Sequence, residues 1–191
     1  MKRTKLILTL SLIILGTACT DLAVDSTNQG WTHFETGDLD SARYYFEDAI
    51  LWDDTYADAY NGLGWCDLFA DELTSSLGNF KDALSYEKSL TDASAGASLA
   101  ATEEGTHQDA VDYADDVISS DDSYVFSHYT SVTIEDIRLA KAKSAAALGD
   151  FVTALAEVQV LEPSFSADPS TPQGQAAILA KIEELIGIYG G

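Results

Sequence analysis

Gly30-Trp31, followed by the turn Gly37-Asp38-Leu39 and then Ala42, is a unit that this chain repeats, and no other property of the sequence limits the fold so tightly. Gly30-Trp31 returns one 34-residue period later as Gly64-Trp65. From Gly30 to Ala49 the unit reads helix, tight turn, helix. Behind the turn, Ala42, Tyr45, Phe46, Ala49 and Ile50 recur at three- and four-residue steps and make one apolar face. A motif repeated at such a period builds a stack in which each unit buries its face on its neighbours.

Four turns are expected, at Gly37-Asp38-Leu39, Gly78-Asn79-Phe80, Gly105-Thr106-His107 and Gly149-Asp150-Phe151. Five residues beyond the turn glycines stand Ala42, Ala83, Ala110 and Ala154, and twelve beyond them Ala49, Leu90, Val117 and Leu161. The step from Gly37 to Gly78 is longer than the step from Gly30 to Gly64, so residues 71–77 (DELTSSL) are expected to hold a seven-residue surplus. The units then span about 21–54, 55–92, 93–120 and 133–163. Between the last two, from Ser119 to Val132, the helical period disappears. That stretch reads either as a connector packing Tyr124, Val125 and Phe126 over the helices or as a binding loop.

Thr133 with Asp136 resembles an N-cap pair, opening a helix with Ile137, Ala140, Ser144, Ala147 and Leu148 on its inner face. Pro163 ends the last paired helix, because proline cannot continue it. Thr171-Pro172 predicts an N-cap and a first helical position. The helix that follows carries Ile178, Leu179, Ile182, Leu185, Ile186 and Tyr189 as one stripe, and over 171–189 it would cap the open end of the stack.

The small residue of the first helix (Gly30, Gly64), the Gly-Asp turn, the alanine five residues on and the apolar residue near the end make the chain resemble the tetratricopeptide repeat (TPR). The resemblance implies an all-α, right-handed solenoid of about four helix pairs with a C-terminal capping helix. It also implies an adaptor, not an enzyme, that holds a protein or peptide partner in a concave groove. In the family the position after the small residue faces that groove, which marks Trp31 and Trp65, with Phe34 and Leu68 three residues further on, as candidate groove residues. Apolar residues at helical spacing are equally what a core looks like, so both readings of the tryptophans stand. The first helices of the first two units, 22–35 and 56–69, hold no Lys or Arg, so no basic clamp for a C-terminal carboxylate can be built there. The partner is expected to be apolar with basic flanks.

Ahead of the repeats, Lys2, Arg3 and Lys5 precede an apolar run from Leu6 to Leu15 that is too short to span a bilayer. Residues 1–18 therefore read as a secretion signal. Leu15-Gly16-Thr17-Ala18-Cys19 resembles the lipobox of bacterial lipoproteins, with Gly16 where a large aliphatic residue is usual. This resemblance makes Cys19 the acylated N-terminus of a membrane-anchored lipoprotein. Thr20 after the cysteine favours, by the same kind of resemblance, the outer membrane, with the domain facing the periplasm or the cell surface. Only Cys66 remains, so no disulfide framework braces the fold, and its place in an apolar helix reads as a buried structural thiol.

The sequence holds 10 basic and 32 acidic residues, for a net charge of −22. Such a surface repels phosphate backbones and anionic headgroups, which argues against nucleic acid as a partner. His33, His107 and His128 lack ligand-spaced partners, and the aspartate pairs at 53/54, 115/116 and 121/122 read as solvated helix ends. No metal, cofactor or catalytic group is expected. A second class stays open, an accessory glycan- or nutrient-binding lipoprotein of the outer membrane, because some sugar-binding lipoproteins contain these repeats.

Overall fold

The computed structural model describes residues 20–189, and the regular elements among them are helices. They are α1 (20–35), α2 (Leu39–Trp52), α3 (Ala57–Phe69), α4 (Leu73–Tyr86), α5 (Thr91–Glu104), α6 (His107–Ser120), α7 (Ile134–Ala147), α8 (Phe151–Leu161) and α9 (Pro172–Tyr189). From α2 onward each helix packs on the next, and α3, α5, α7 and α9 also touch in series, forming an inner layer. This is an all-α solenoid.

The turns set the period. Gly37, Gly105 and Gly149 adopt left-handed backbone at φ 79°, 87° and 83°, and Asp71 does the same at φ 62°. At all four turns the amide of the following residue returns to the carbonyl five residues before it: Asp38 to His33, Glu72 to Asp67, Thr106 to Ala101 and Asp150 to Ala145, at 2.9 to 3.0 Å. That bond satisfies a carbonyl the ending helix would otherwise leave open.

The second turn is thus at Asp71, midway in the numbering between Gly37 and Gly105 and one 34-residue period from each. The expected turn at Gly78-Asn79-Phe80 is a correction: these residues lie inside α4. Residues 71–77 are no surplus but a turn and the start of a helix. Ser76 therefore takes the place assigned to Ala83, and Ala83 the place assigned to Leu90, which instead caps α5. Ser76 keeps the site small, and its hydroxyl donates to the Gly64 carbonyl at 2.8 Å.

The packing shows why the glycines recur. The Phe46 ring lies where a Cβ on Gly30 or Gly62 would come within 2.6 Å or 2.3 Å of it. One repeat on, Phe80 fills the same room over Gly64 and Gly96, at 2.6 Å and 2.1 Å. Each ring is wedged between the first helix of its own unit and that of the next. In the third unit the ring gives way to Ala114, and the two glycines become Ser98 and Ala140, so volume moves from one side of the contact to the other.

Thr133 and Asp136 form the capping box of α7, the Thr133 amide donating to the Asp136 carboxylate at 2.8 Å. Ile137, Ala140 and Ser144 face inward as expected, but Ala147 and Leu148 are exposed, and Ala142, Ala145 and Ala146 are buried instead. The left-handed turn at Gly149 begins there, so the chain is already leaving the core. On α9, Ile178, Ile182 and Leu185 are buried while Leu179 and Tyr189 are exposed. Thr171 accepts from the Gly174 amide at 3.1 Å, as an N-cap does. Cys66 is wholly buried, and burial pushes its thiol up to about 12, which suits a structural role.

Candidate functional site

The inner layer presents the residues of its helices at one repeated position. Trp31 of α1 is followed one period on by Trp65 of α3, and after one period more by Leu99 of α5. The next such position, Lys143 of α7, comes ten residues late, as Gly149 does after Gly105. The ten extra residues lie in segment 121–133. The other linkers between units, residues 53–56 and 87–90, are far shorter.

That segment turns back over the inner layer. Phe126 stacks on Trp65 with centroids 4.0 Å apart and planes 15° off parallel. His128 lies on Trp31 at 4.0 Å and 3°, its Nδ1 2.8 Å from a Glu35 carboxylate oxygen. Tyr129 meets Phe69 edge-on at 5.0 Å. At the edge of the Trp31 ring the indole N–H donates to Asp58 at 3.0 Å, which fixes the ring. Of the connector residues, Tyr124 and Phe126 pack inward as expected, whereas Val125 is half exposed.

Trp31, Phe34 and Trp65 are therefore on the inner face but buried, with exposures of 4%, 5% and 0%, because the chain's own segment covers them. Leu68 remains partly open and lines a cavity of about 330 Å³. Beside it the walls are Leu99, Leu139 and Ile186, with Trp65 and Phe69 at one end and Val132 of the inserted segment along one side. Polar groups reach it from Thr102, Glu103, Asp136 and Lys143. Lys143 is held by Glu103 at 2.7 Å, so the Asp136 carboxylate is left as the uncompensated charge.

Burial pushes Asp136 above the usual carboxylate range, and the hydrogen bonds from Thr133 only partly oppose this. Asp92, under the inserted segment, is also pushed up by burial, against the pull of Tyr124 and His128. Burial, with the Asp92 charge behind it, raises Tyr124 in turn.

Leu99, Leu139 and Ile186 are not among the candidates the sequence marks. One further period counted from Trp65 finds Leu99. The insert carries its own signal in the alternation Tyr124, Phe126, His128, which is a strand period in an otherwise helical chain. His33 pairs with Asp38 at 3.3 Å beside the first turn, apart from this site. Asp53 and Asp121 brace the linkers by accepting from Thr55 and Ser123. Cys19 lies outside the described residues.

No protein-family model matches the sequence, and no curated protein matches it. Solved structures are similar in fold. YrrB, a TPR protein with an unusual peptide-binding site, superposes with a TM-score of 0.66 at 15% identity, over 85% of this chain and 86% of its own. TTC0263, a thermophilic TPR protein from Thermus thermophilus, gives 0.56 at 18%, over 88% and 83%. A TPR protein from Parabacteroides merdae gives 0.59 at 13%, over 89% of this chain but 62% of its own, so this chain spans less than two thirds of that one. Helix pairs that repeat every 34 residues apart from one ten-residue insert, the two helices of each joined by a left-handed turn at the same place, together with these likenesses, give the chain the tetratricopeptide-repeat fold.

Proposed function

We propose that this protein is a lipid-anchored, extracytoplasmic adaptor that takes an apolar segment of a partner protein into the open half of its inner groove. The observation that carries this reading is the cavity of about 330 Å³ between Leu68, Leu99, Leu139 and Ile186. That room suits one or two large apolar side chains, and pockets of this kind gain their affinity by desolvating such groups. The one lysine at the cavity is already paired with Glu103, and the chain carries 32 acidic residues against 10 basic ones. A partner with basic residues flanking its apolar anchor fits that charge, and its association slows as salt rises. The peptide-binding site of YrrB, a protein of the same fold, supports the reading. Nothing in it requires covalent chemistry.

The anchor rests on the lipobox-like stretch ending in Cys19 and on the start of the fold immediately after it, since helix α1 is already formed at residue 20. A diacylated Cys19 holds the first helix pair against the outer membrane, because two chains bind far more durably than one. Glycan binding is the weaker alternative. The cavity walls are mainly apolar, and the polar groups that reach it, on Thr102, Glu103, Asp136 and Lys143, already have partners within the fold, so sugar hydroxyls placed there would lose water for few hydrogen bonds in return.

Site-specific photocrosslinking in the native envelope tests this. A crosslinker in place of Leu99 is expected to trap a polypeptide, with yield falling as salt is raised, and one in place of the exposed Val160 is expected not to. Oligosaccharide at Leu99, or equal products from both positions, overturns the proposal.

A further inference from the structure

The inserted segment lies on the inner face as a bound peptide would. From Tyr124 to His128 its residues alternate: Tyr124 and Phe126 are buried and His128 partly so, while Val125 and Ser127 face solvent. That is the pattern of an extended ligand whose every second side chain enters a pocket. The segment's backbone hydrogen bonds run within itself and to the start of α7, and its ties to the inner face are its rings and the His128–Glu35 contact. The Phe126 amide donates to the Val132 carbonyl at 2.9 Å and the Ile134 amide to the Tyr124 carbonyl at 2.8 Å. Phe126 on Trp65 and His128 on Trp31 supply the two stacked contacts to the helices. The open cavity begins at the same Trp65, and Val132 of the segment forms one of its walls.

We infer that the shelf made by Trp31 and Trp65 is a second binding subsite, for an extended partner segment carrying flat rings two residues apart, and that Phe126 and His128 occupy it until the partner displaces them. The inference rests on the groove reading above and adds the partner's chemistry to it. A tethered occupant acts at millimolar effective concentration, so the intact protein binds such a segment more weakly than a protein without the insert. A partner anchored in the neighbouring cavity overcomes this by bringing its own rings to the shelf at a comparable effective concentration.

Removing residues 123–132 tests it. The excision joins Asp121-Asp122 to Thr133-Ile134, which matches the linker Asp53-Asp54-Thr55-Tyr56 in length and near enough in sequence, and it restores the 34-residue period. The probe is a synthetic peptide of residues 121–133, read by tryptophan emission and by anisotropy of a labelled copy. The excised protein is expected to bind it at least about tenfold more tightly than the intact protein, and not to bind a copy carrying Phe126→Ser and His128→Ser. A folded excised protein that ignores the peptide, or equal binding by both proteins, overturns the inference.

If the excision unfolds the chain, hydrogen exchange of the intact protein decides. Amides of Phe126 and Ile134 that exchange well before those of α3 and α5 show the segment leaving a standing groove, and exchange in step with those helices overturns the proposal. Crosslinking of a polypeptide from Leu99 alongside a failed peptide experiment removes this inference alone. Failure of both removes the groove reading as well.

Discussion

Asp71, at φ 62°, occupies the place in its repeat that Gly37, at φ 79°, occupies in the one before. Left-handed backbone costs a residue with a Cβ roughly 1–2 kcal/mol, and aspartate is among the few that adopt it routinely. Asp71→Gly removes that strain and gives back part of the gain through the freer unfolded chain. We expect a net gain of about 0.5–1 kcal/mol, or roughly 1–4 °C in Tm for a domain of this size. Thermal unfolding followed by circular dichroism checks it, and a lower Tm would mean that the Asp71 carboxylate contributes more than its backbone costs.

The same residue explains why one turn was illegible in the sequence. Three turns carry glycine and could be read directly; the fourth carries aspartate, and Gly78 a little further on offered a false one. The helix pairs, the cap at Thr171-Pro172 and the box at Thr133 and Asp136 were legible because local chemistry dictates them. The covering of Trp31 and Trp65 was not, since it depends on a segment from a later unit of the chain folding back over them. Nothing in the periodicity of α1 or α3 registers that.

The two glycines beneath each wedge ring are expected to be intolerant, and Gly78 tolerant. A Cβ on Gly62 falls 2.3 Å from the Phe46 ring, while one on Gly78 meets nothing within 4 Å. Gly62→Ala should cost about 1–3 kcal/mol through overpacking. Combined with Phe46→Leu it should cost less than the two singles added, because the second change makes room for the first. Gly78→Ala, inside α4, should stabilise by roughly 0.5–1 kcal/mol. Destabilisation by Gly78→Ala would restore a turn at that position and undo the 34-residue register.

Asp92 should make stability depend on pH in a particular direction. Burial raises its pKa above the ordinary value of 3.8, so the folded protein holds that proton more tightly than the unfolded chain does. Its contribution is therefore most favourable below 3.8, falls as pH climbs toward the raised folded value, and is constant beyond it. Asp92→Asn is nearly isosteric and removes the titration. The variant's advantage in urea unfolding should be absent below 3.8, grow as pH rises from there and level off above the raised folded value. An advantage that is the same at every pH would show that Asp92 is not the group responsible.

The tryptophans can test the proposed membrane anchor. Trp31 and Trp65 are buried, whereas Trp52, at the end of α2, is 44% exposed and its neighbour Leu51 84%. The Thr20 hydroxyl donates to the Asp53 carboxylate at 3.3 Å, so the start of the described chain lies against that same end of α2. Cys19 directly precedes Thr20 in the sequence, so on the proposed reading acyl chains there bring Leu51 and Trp52 to the headgroup layer. In neutral vesicles containing brominated lipid, the acylated protein should lose part of its tryptophan emission. Trp52→Phe should abolish the quenching, because the two remaining indoles are shielded by the fold. Cys19→Ser should take up no labelled fatty acid and show no quenching either. Equal labelling of wild type and Cys19→Ser would remove the anchor from this position, and labelling without quenching would keep the anchor but turn α2 away from the bilayer.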